Sequence, residues 1–381
     1  MAGRYLAADA ADLIAKGQLT QDEWQAMQRD GGAVVHLRTR MMAQLERETE
    51  AAIASQPKDQ VLESDVVAAV GGALWGAASA WLKSATKPPH EAPASTTSFL
   101  WSTAKEAALK SMETSQKIRR VEFLKLEHYC GDVASAEHVI ITVNGFMTHG
   151  ADPSANWAAF CERKHVACYV VQWEAGSEAE WNDFVGESHA HLGAGQEDAI
   201  ASHFTGNPWN KAQNKATQVG HILADVLRSQ PTALRGRKVT LMGHSLGGAV
   251  IASLLERLSA QNRANPSTRF LLHHVVLFAA AFVPEHNFTA VAADVFPDAR
   301  RRILNVYSTQ DHVLLHLFWA VNLHKQRPAA GCVAIASPTV ENIDVSAHLP
   351  AEKGTLFGHS YEGIMGVACD KLDAFWDLPN A

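Results

Sequence analysis

Cysteine is scarce in this chain. Five residues (Cys130, Cys161, Cys168, Cys332 and Cys369) are scattered over 381 positions, odd in number and with no CxxC pair. That pattern excludes a disulfide framework and leads us to expect reduced thiols in a cytosol-like compartment. An excess of positive charge is also missing. Lys and Arg total 33 against 40 Asp and Glu, a net charge of −7, so no basic face for nucleic acid is expected. The first twenty residues, MAGRYLAADAADLIAKGQLT, hold no apolar run, and no Sec-type signal peptide is expected. Neither G-x-x-x-x-G-K-[ST] nor G-x-G-x-x-G occurs, so no nucleotide cofactor is implied. Charged residues are only 19% and apolar ones 47%, which excludes whole-chain disorder and a coiled-coil fibre. The length fits about two to three domains, or one α/β domain of about 250 residues with an added segment.

The added segment is N-terminal and helical in its spacing. Thr20 and Glu23 form a capping-box pattern ahead of WQAMQ, and residues 32–55 continue with helical spacing. From Val66 to Leu82 runs VVAAVGGALWGAASAWL, 17 apolar residues between Asp65 and Lys83. A membrane span needs about 20. Gly72, Gly76 and Ala80 stand four apart, a face that allows close helix packing. A buried helix packed on the main domain is the plain expectation; a helix that dips into a membrane or covers a substrate is the alternative. Residues 83–96 (KSATKPPHEAPAST) read as a Pro-rich linker, and a helix is expected from Ser98 to about Lys117. We therefore divide the chain into 1–96, a helical N-terminal segment with its linker, and 97–381, the main domain.

From Val121 the texture changes to short apolar runs alternating with helical stretches. Strands are predicted at 121–126, 138–144, 167–173, 238–243, 273–282 and 302–308, with a weaker one at 342–346. Helices are predicted at 154–163, 208–229, 247–260 and 359–376. Several strands are continuous apolar runs, as expected where both sheet faces are covered. The alternation predicts an α/β fold with a mostly parallel central sheet and helices on both faces.

The strongest local signal is Gly243-His244-Ser245-Leu246-Gly247, between the strand KVTLM and the helix GGAVIASLLERL. A serine on a sharp strand-to-helix turn is exposed as a nucleophile, with a helix N-terminus facing the charge that develops. Such a serine needs a base and an orienting acid, in the chain order Ser, acid, His. Asp311 follows the strand RILNVYS and is the expected acid, its plainer role being an N-cap for VLLHLF. Asp344 lies inside a predicted strand, and Asp298 comes before its strand. His359, in TLFGHSYEG, is the expected base, ahead of His348 and His324. The oxyanion hole is expected from the Leu246 N–H and from Phe146 or Met147 in the loop Asn144-Gly145-Phe146-Met147, where Gly145 permits a tight turn. Gly145 and His244 are expected to contact substrate. Trp181 is expected to do so from a cap or entry loop at 174–206, a segment that also holds Phe184. The pair His189/His191 and the pair His312/His316 lack the partners of a zinc site, so no metal is expected.

Taken in order, VNGFMTHGADPSANW, YVVQWEAGSEAEW, NPWNKAQNKATQVGHILADVLRS, VTLMGHSLGGAVIASLLERL, NVYSTQDHVLLHLF and ENIDVSAHLPAEKGTLFGHSYEGIM resemble the domain-of-unknown-function 726 family of the α/β-hydrolase superfamily. That family occurs in transmembrane and coiled-coil domain-containing proteins, and the resemblance covers about residues 137–365. It implies an α/β-hydrolase fold and a serine hydrolase, and by position it supports Ser245, Asp311 and His359. Many members carry clear transmembrane segments, whereas this chain has only the stretch 66–82.

These readings lead us to expect a serine hydrolase of carboxylic esters with an apolar acyl group, lipase- or esterase-like. It would use no cofactor and act on a small-molecule or lipid ester. The alternatives are a phospholipase or membrane-lipid esterase acting as an effector, and a catalytically silent, membrane-associated interaction protein. A pore-forming module would rest only on the Gly72/Gly76/Ala80 face. A cytoplasmic protein is expected, with peripheral membrane contact through 66–82 as the variant. The oligomeric state has no sequence signal.

Overall fold

The structure is a computed structural model. It describes residues 5–57, 105–106 and 109–110; 120–183 apart from 135, 151, 153–156, 159, 161–165 and 181; 208–318 apart from 286 and 299–301; 327–349; and residues 359 and 361. The chain forms two compact units. The first comprises Met1–Ser55, Glu122–Ser177 and Ala216–Ala381; the second comprises Gln56–Val121 and Glu178–Lys215. The boundary expected near residue 96 falls outside the described residues.

In the first unit the described residues build a seven-stranded sheet in the order β1-β3-β2-β4-β5-β6-β7. The strands are β1 (Leu124–Cys130), β2 (His138–Val143), β3 (Ala167–Trp173), β4 (Lys238–His244), β5 (His274–Phe278), β6 (Ile303–Tyr307) and β7 (Val340–Asp344). Only β1 pairs antiparallel, at one edge against β3; the other pairs are parallel. Every residue of β5 is buried, and all but the first of β2 and β4. That is the pattern of strands covered on both faces. The edge strand β1 alternates buried and exposed at its start instead.

Among the described residues, the helices of this unit are α1 (Leu6–Ala15), α2 (Gln21–Arg29), α3 (Ala33–Ala54), α4 (Pro208–Arg228, from Ala216 onward), α5 (Leu246–Ala264) and α6 (Phe288–Val295). The Thr20/Glu23 capping box is present. Thr20 Oγ1 accepts the Glu23 N–H at 3.2 Å, and the Thr20 N–H reaches Glu23 Oε2 at 2.8 Å. α3 reaches β1, where Arg38 donates to His128 Nδ1 at 2.7 Å. α1 is tied to the residues ahead of β4 by a buried ion pair, Arg237 with both carboxylate oxygens of Asp9 at 2.7 and 3.0 Å. In the second unit, the Gln56 side chain brackets Val121 with two hydrogen bonds, of 2.8 and 3.1 Å.

Two expectations change. Cys130 is disulfide-bonded, against the expectation of reduced thiols, while Cys168 and Cys332 are free and buried. The first strand begins at Leu124 instead of 121, because the N–H groups of Glu122 and Phe123 go to the Glu174 carboxylate. Among the described residues no helix is long and apolar enough to cross a membrane. The apolar stretch 66–82, the linker 83–96 and the expected C-terminal helix 359–376 lie outside them, His359 and Tyr361 excepted.

At the N-terminal ends of the strands, His138, His273 and His274 stack edge-on, with ring centroids 5.1 and 4.1 Å apart. Burial, reinforced by Arg302, Lys238 and the neighbouring imidazoles against the opposing pull of Asp298, lowers His273 to about 4 and His274 to about 2. Both stay neutral in the fold and take up protons near pH 6.5 once unfolded. The unfolded chain therefore binds more protons below pH 6.5, so stability falls as pH drops from 6.5 toward 4. Thermal unfolding followed from about pH 7 to about pH 4.5 should show this decline. It should be shallower in the double variant His273→Gln/His274→Gln; equal slopes would remove the assignment.

Candidate active site

The sheet order reverses around β2 and β4. From β2 the chain steps outward to β3, which lies between β2 and β1, and from β4 it runs the other way to β5, β6 and β7. Such a switch point leaves a crevice at the C-terminal strand ends. β2 and β4 are in register from His138↔Lys238 to Val143↔Gly243, so the loop after β2 lies level with the turn after β4.

That turn is a single residue. β4 ends at His244, α5 starts at Leu246, and Ser245 between them has φ 56° and ψ −122°. A side-chain-bearing residue there costs on the order of 1–3 kcal/mol and persists only where its surroundings hold it. Three hydrogen bonds do so. The Ser245 N–H donates to Phe278 O at 3.0 Å, and its carbonyl accepts from Gly248 and Ala281, each at 2.9 Å. Position 247 must be glycine, because any Cβ would collide with the Val143 carbonyl.

Asp311 and His359 come to this serine from far along the chain. His359 Nδ1 lies 2.7 Å from Asp311 Oδ2, and its Nε2 lies 2.8 Å from Ser245 Oγ. The carboxylate fixes the tautomer: Nδ1–H donates to it, and Nε2 accepts the serine O–H. Ser245 is 2% exposed, Asp311 0% and His359 8%, so the network works away from bulk water. Asp311 makes a contact with each of its carboxylate oxygens. While Oδ2 takes the imidazole, Oδ1 accepts the Leu314 N–H at 3.0 Å at the head of the π-helix Val313–Phe318. The rival acid, Asp344, directs Oδ1 to the N–H and hydroxyl of Ser346. His348 lies in the short turn Ser346–His348, and His324 lies outside the described residues.

The loop after β2 is held by two indoles. Trp173 Nε1 donates to the Asn144 carbonyl at 3.1 Å, and Trp157 Nε1 donates to Asn144 Oδ1 at 2.8 Å. Gly145 is needed for close approach and not for a positive φ. A Cβ there would stand 2.5 Å from Ser245 Cβ and 2.9 Å from Ser245 Oγ. Met147 has φ 63°, and its N–H donates to Ala175 O at 3.0 Å. Its amide is thus committed to the loop. Leu246 is the first residue of α5, so its N–H has no acceptor within the helix.

His244 is placed differently from the expected substrate contact. Its ring is buried, and Nε2 donates to the His359 carbonyl at 3.0 Å. Sequence reasoning also missed the two indoles on Asn144. Trp173 closes a strand and reads as ordinary core; its partner is 29 residues away. Trp181, Phe184 and the His189/His191 pair lie outside the described residues.

Comparison with known proteins bears on the same stretch of chain. Residues 199–352 match the family model described as a protein of unknown function, DUF726, a narrower range than the 137–365 expected. The match takes in Ser245 and Asp311 but not His359. A transmembrane and coiled-coil domain-containing protein, STS1, of Oryza sativa subsp. japonica is 34% identical over 151 residues, 38% of this chain and 20% of that protein. The probable lipase MIL1 of Saccharomyces cerevisiae is 32% identical over 140 residues, 36% of this chain and 11% of that protein. An uncharacterized membrane protein of Schizosaccharomyces pombe is 32% identical over 140 residues, 37% of this chain and 17% of that protein. The chain therefore spans a fifth or less of the length of these relatives. An α/β serine hydrolase without a lid from Xanthomonas campestris aligns at 15% identity over 68% of this chain and 90% of its own, with a TM-score of 0.32. Esterase 2 of Thermogutta terrifontis, phosphonylated by cyclosarin, aligns at 12% over 68% and 91%, with a TM-score of 0.31. A mostly parallel sheet in this order, with a serine turn after β4, is the α/β-hydrolase fold, and across residues 199–352 the chain resembles the DUF726 family.

Proposed function

We propose that the protein is a serine hydrolase of carboxylic esters with an apolar acyl group. The observation that carries this reading is the His359 imidazole bridging Asp311 at 2.7 Å and Ser245 at 2.8 Å. Ser245 Oγ attacks the ester carbonyl carbon while His359 Nε2 takes the hydroxyl proton. The Leu246 and Phe146 N–H groups receive the oxyanion. The intermediate collapses, the C–O bond to the alcohol breaks, and His359 returns the proton to the leaving oxygen. Water then repeats the sequence on the acyl-enzyme and frees Ser245. Asp311 holds the imidazole in the Nδ1–H tautomer and stabilises the imidazolium as it forms. No step asks for a cofactor.

The apolar substrate is supported by the likeness to a protein named a probable lipase. Likeness to proteins named as membrane proteins favours a membrane lipid as the ester, and peripheral contact through residues 66–82 would serve that end. The test is hydrolysis of p-nitrophenyl esters of rising chain length by the full chain and by Ser245→Ala, with fluorophosphonate labelling alongside. We expect a rate that rises with chain length, is lost in Ser245→Ala by a factor of about 10⁴ or more, and is matched by labelling at Ser245. Undiminished hydrolysis by Ser245→Ala would refute the proposal. A folded wild type that neither hydrolyses nor labels would leave a membrane-associated interaction protein.

A further inference from the structure

We infer that His244 is a positioning residue for the base, fixing the main chain of His359 against the nucleophile turn. The inference rests on the hydrolase reading above for its consequence, but its geometry stands alone. His244 is the last residue of β4, so its backbone is set by the parallel pairing His244↔Phe278. Its Nε2–H donates to the His359 carbonyl at 3.0 Å, and the two rings lie 5.1 Å apart. The Tyr361 ring packs against the His244 ring as well, at 5.7 Å.

The next residue along is Ser245 itself. The contacts therefore close a ring: Ser245 Oγ to His359 Nε2, through His359 to its carbonyl, on to His244 Nε2, and back through one peptide bond to Ser245. A base held only by its imidazole leaves its main chain free to shift, and a shift of Cα carries Nε2 away from the serine. With the carbonyl pinned as well, the separation of base and nucleophile is set from two ends. Asp311 cannot replace this contact, because it holds the far nitrogen of the same ring.

The chemistry of the donor matters too. His359 becomes a cation in each transition state, and a second cation beside it would oppose that charge. Burial, with His359 adding to it, brings His244 down to about 3, so it is a neutral donor wherever the protein works. A lysine or arginine could supply the hydrogen bond but would bring the charge.

The test compares the full-length wild type with His244→Phe, which keeps an aromatic ring without a donor, and with His244→Gln, which restores an N–H. Two readouts are taken. The first is the low-field Nδ1 proton of His359 in ¹⁵N-histidine-labelled protein, identified by its loss in Asp311→Asn. We expect a slowly exchanging signal in wild type and His244→Gln, and a broadened or absent one in His244→Phe. The second is fluorophosphonate labelling of Ser245, expected to slow about 100-fold in His244→Phe and to recover to within a few fold in His244→Gln. Should His244→Phe show no cooperative thermal transition, His244→Asn takes its place, its amide being too short to reach the His359 carbonyl. An unchanged proton signal and labelling rate in the donorless variant overturns the inference, as does a folded His244→Gln that behaves like His244→Phe. Failure of the hydrolase reading looks different: wild-type Ser245 does not label, while the proton signal still follows residue 244.

Discussion

Asp311→Asn is expected to lower kcat by about 10⁴-fold while leaving the protein folded, a loss of the size this substitution produces in serine triads generally. The two carboxylate oxygens of Asp311 explain why activity and fold separate. Oδ1 accepts the Leu314 N–H at 3.0 Å, and an asparagine carbonyl placed there keeps that bond. The amide NH₂ then faces His359 Nδ1, where Oδ2 had been at 2.7 Å. A donor facing Nδ1 turns the imidazole to its Nε2–H tautomer, which cannot accept the Ser245 proton. Esterase kinetics paired with thermal unfolding would check this. A variant that stays near wild-type activity would remove Asp311 from the mechanism. One that is inactive because it is unfolded would show that the cap at Leu314 had not survived.

The largest stability effect is expected at the other end of the strands. Arg237 is fully buried and donates hydrogen bonds to Ala136 O (3.1 Å), Thr232 O (3.0 Å), Val133 O (3.0 Å) and the two oxygens of Asp9 (3.0 and 2.7 Å). The Tyr5 ring covers the guanidinium, its centroid 4.7 Å from Cζ. Burial holds the Asp9 carboxyl above the usual carboxylate range, with Arg237 pulling against it. Asp9→Ala removes the carboxylate that pairs with this cation, and arginine cannot shed its charge in response. The expected cost is about 3–5 kcal/mol, read from urea unfolding. Asp9→Leu combined with Arg237→Met should cost less than Asp9→Ala alone, because a buried pair replaced as a whole leaves no orphan charge. A double variant at least as damaged as the single one would contradict this account.

Legibility in the sequence followed the range of the interactions. β2, β3 and β4 were readable to within a residue because a strand covered on both faces is an unbroken apolar run. The serine turn was readable because Gly243 and Gly247 bracket it on a strand–helix junction. Asp311 and His359 came from chain order and the ends of predicted elements. What could not be read depends on distant partners. The run 273–282 is apolar to its end, yet β5 stops at Phe278, because Ala279 takes φ 44° and the chain turns to bind the serine backbone at Ala281. Nothing near Met147 in the sequence shows that its amide goes to the Ala175 carbonyl. Arg237 sits in a polar stretch ahead of β4, and nothing in its neighbours foretells burial against α1. The histidine of G-H-S-L-G gives no hint that it reaches a residue 115 positions away.

That long span also bears on when the protein can act. Ser245 and its base are 114 residues apart, and the base and its acid 48. On the hydrolase proposal, a ribosome releasing this chain delivers the serine well before the imidazole that would activate it, so the nascent polypeptide would be inert toward esters.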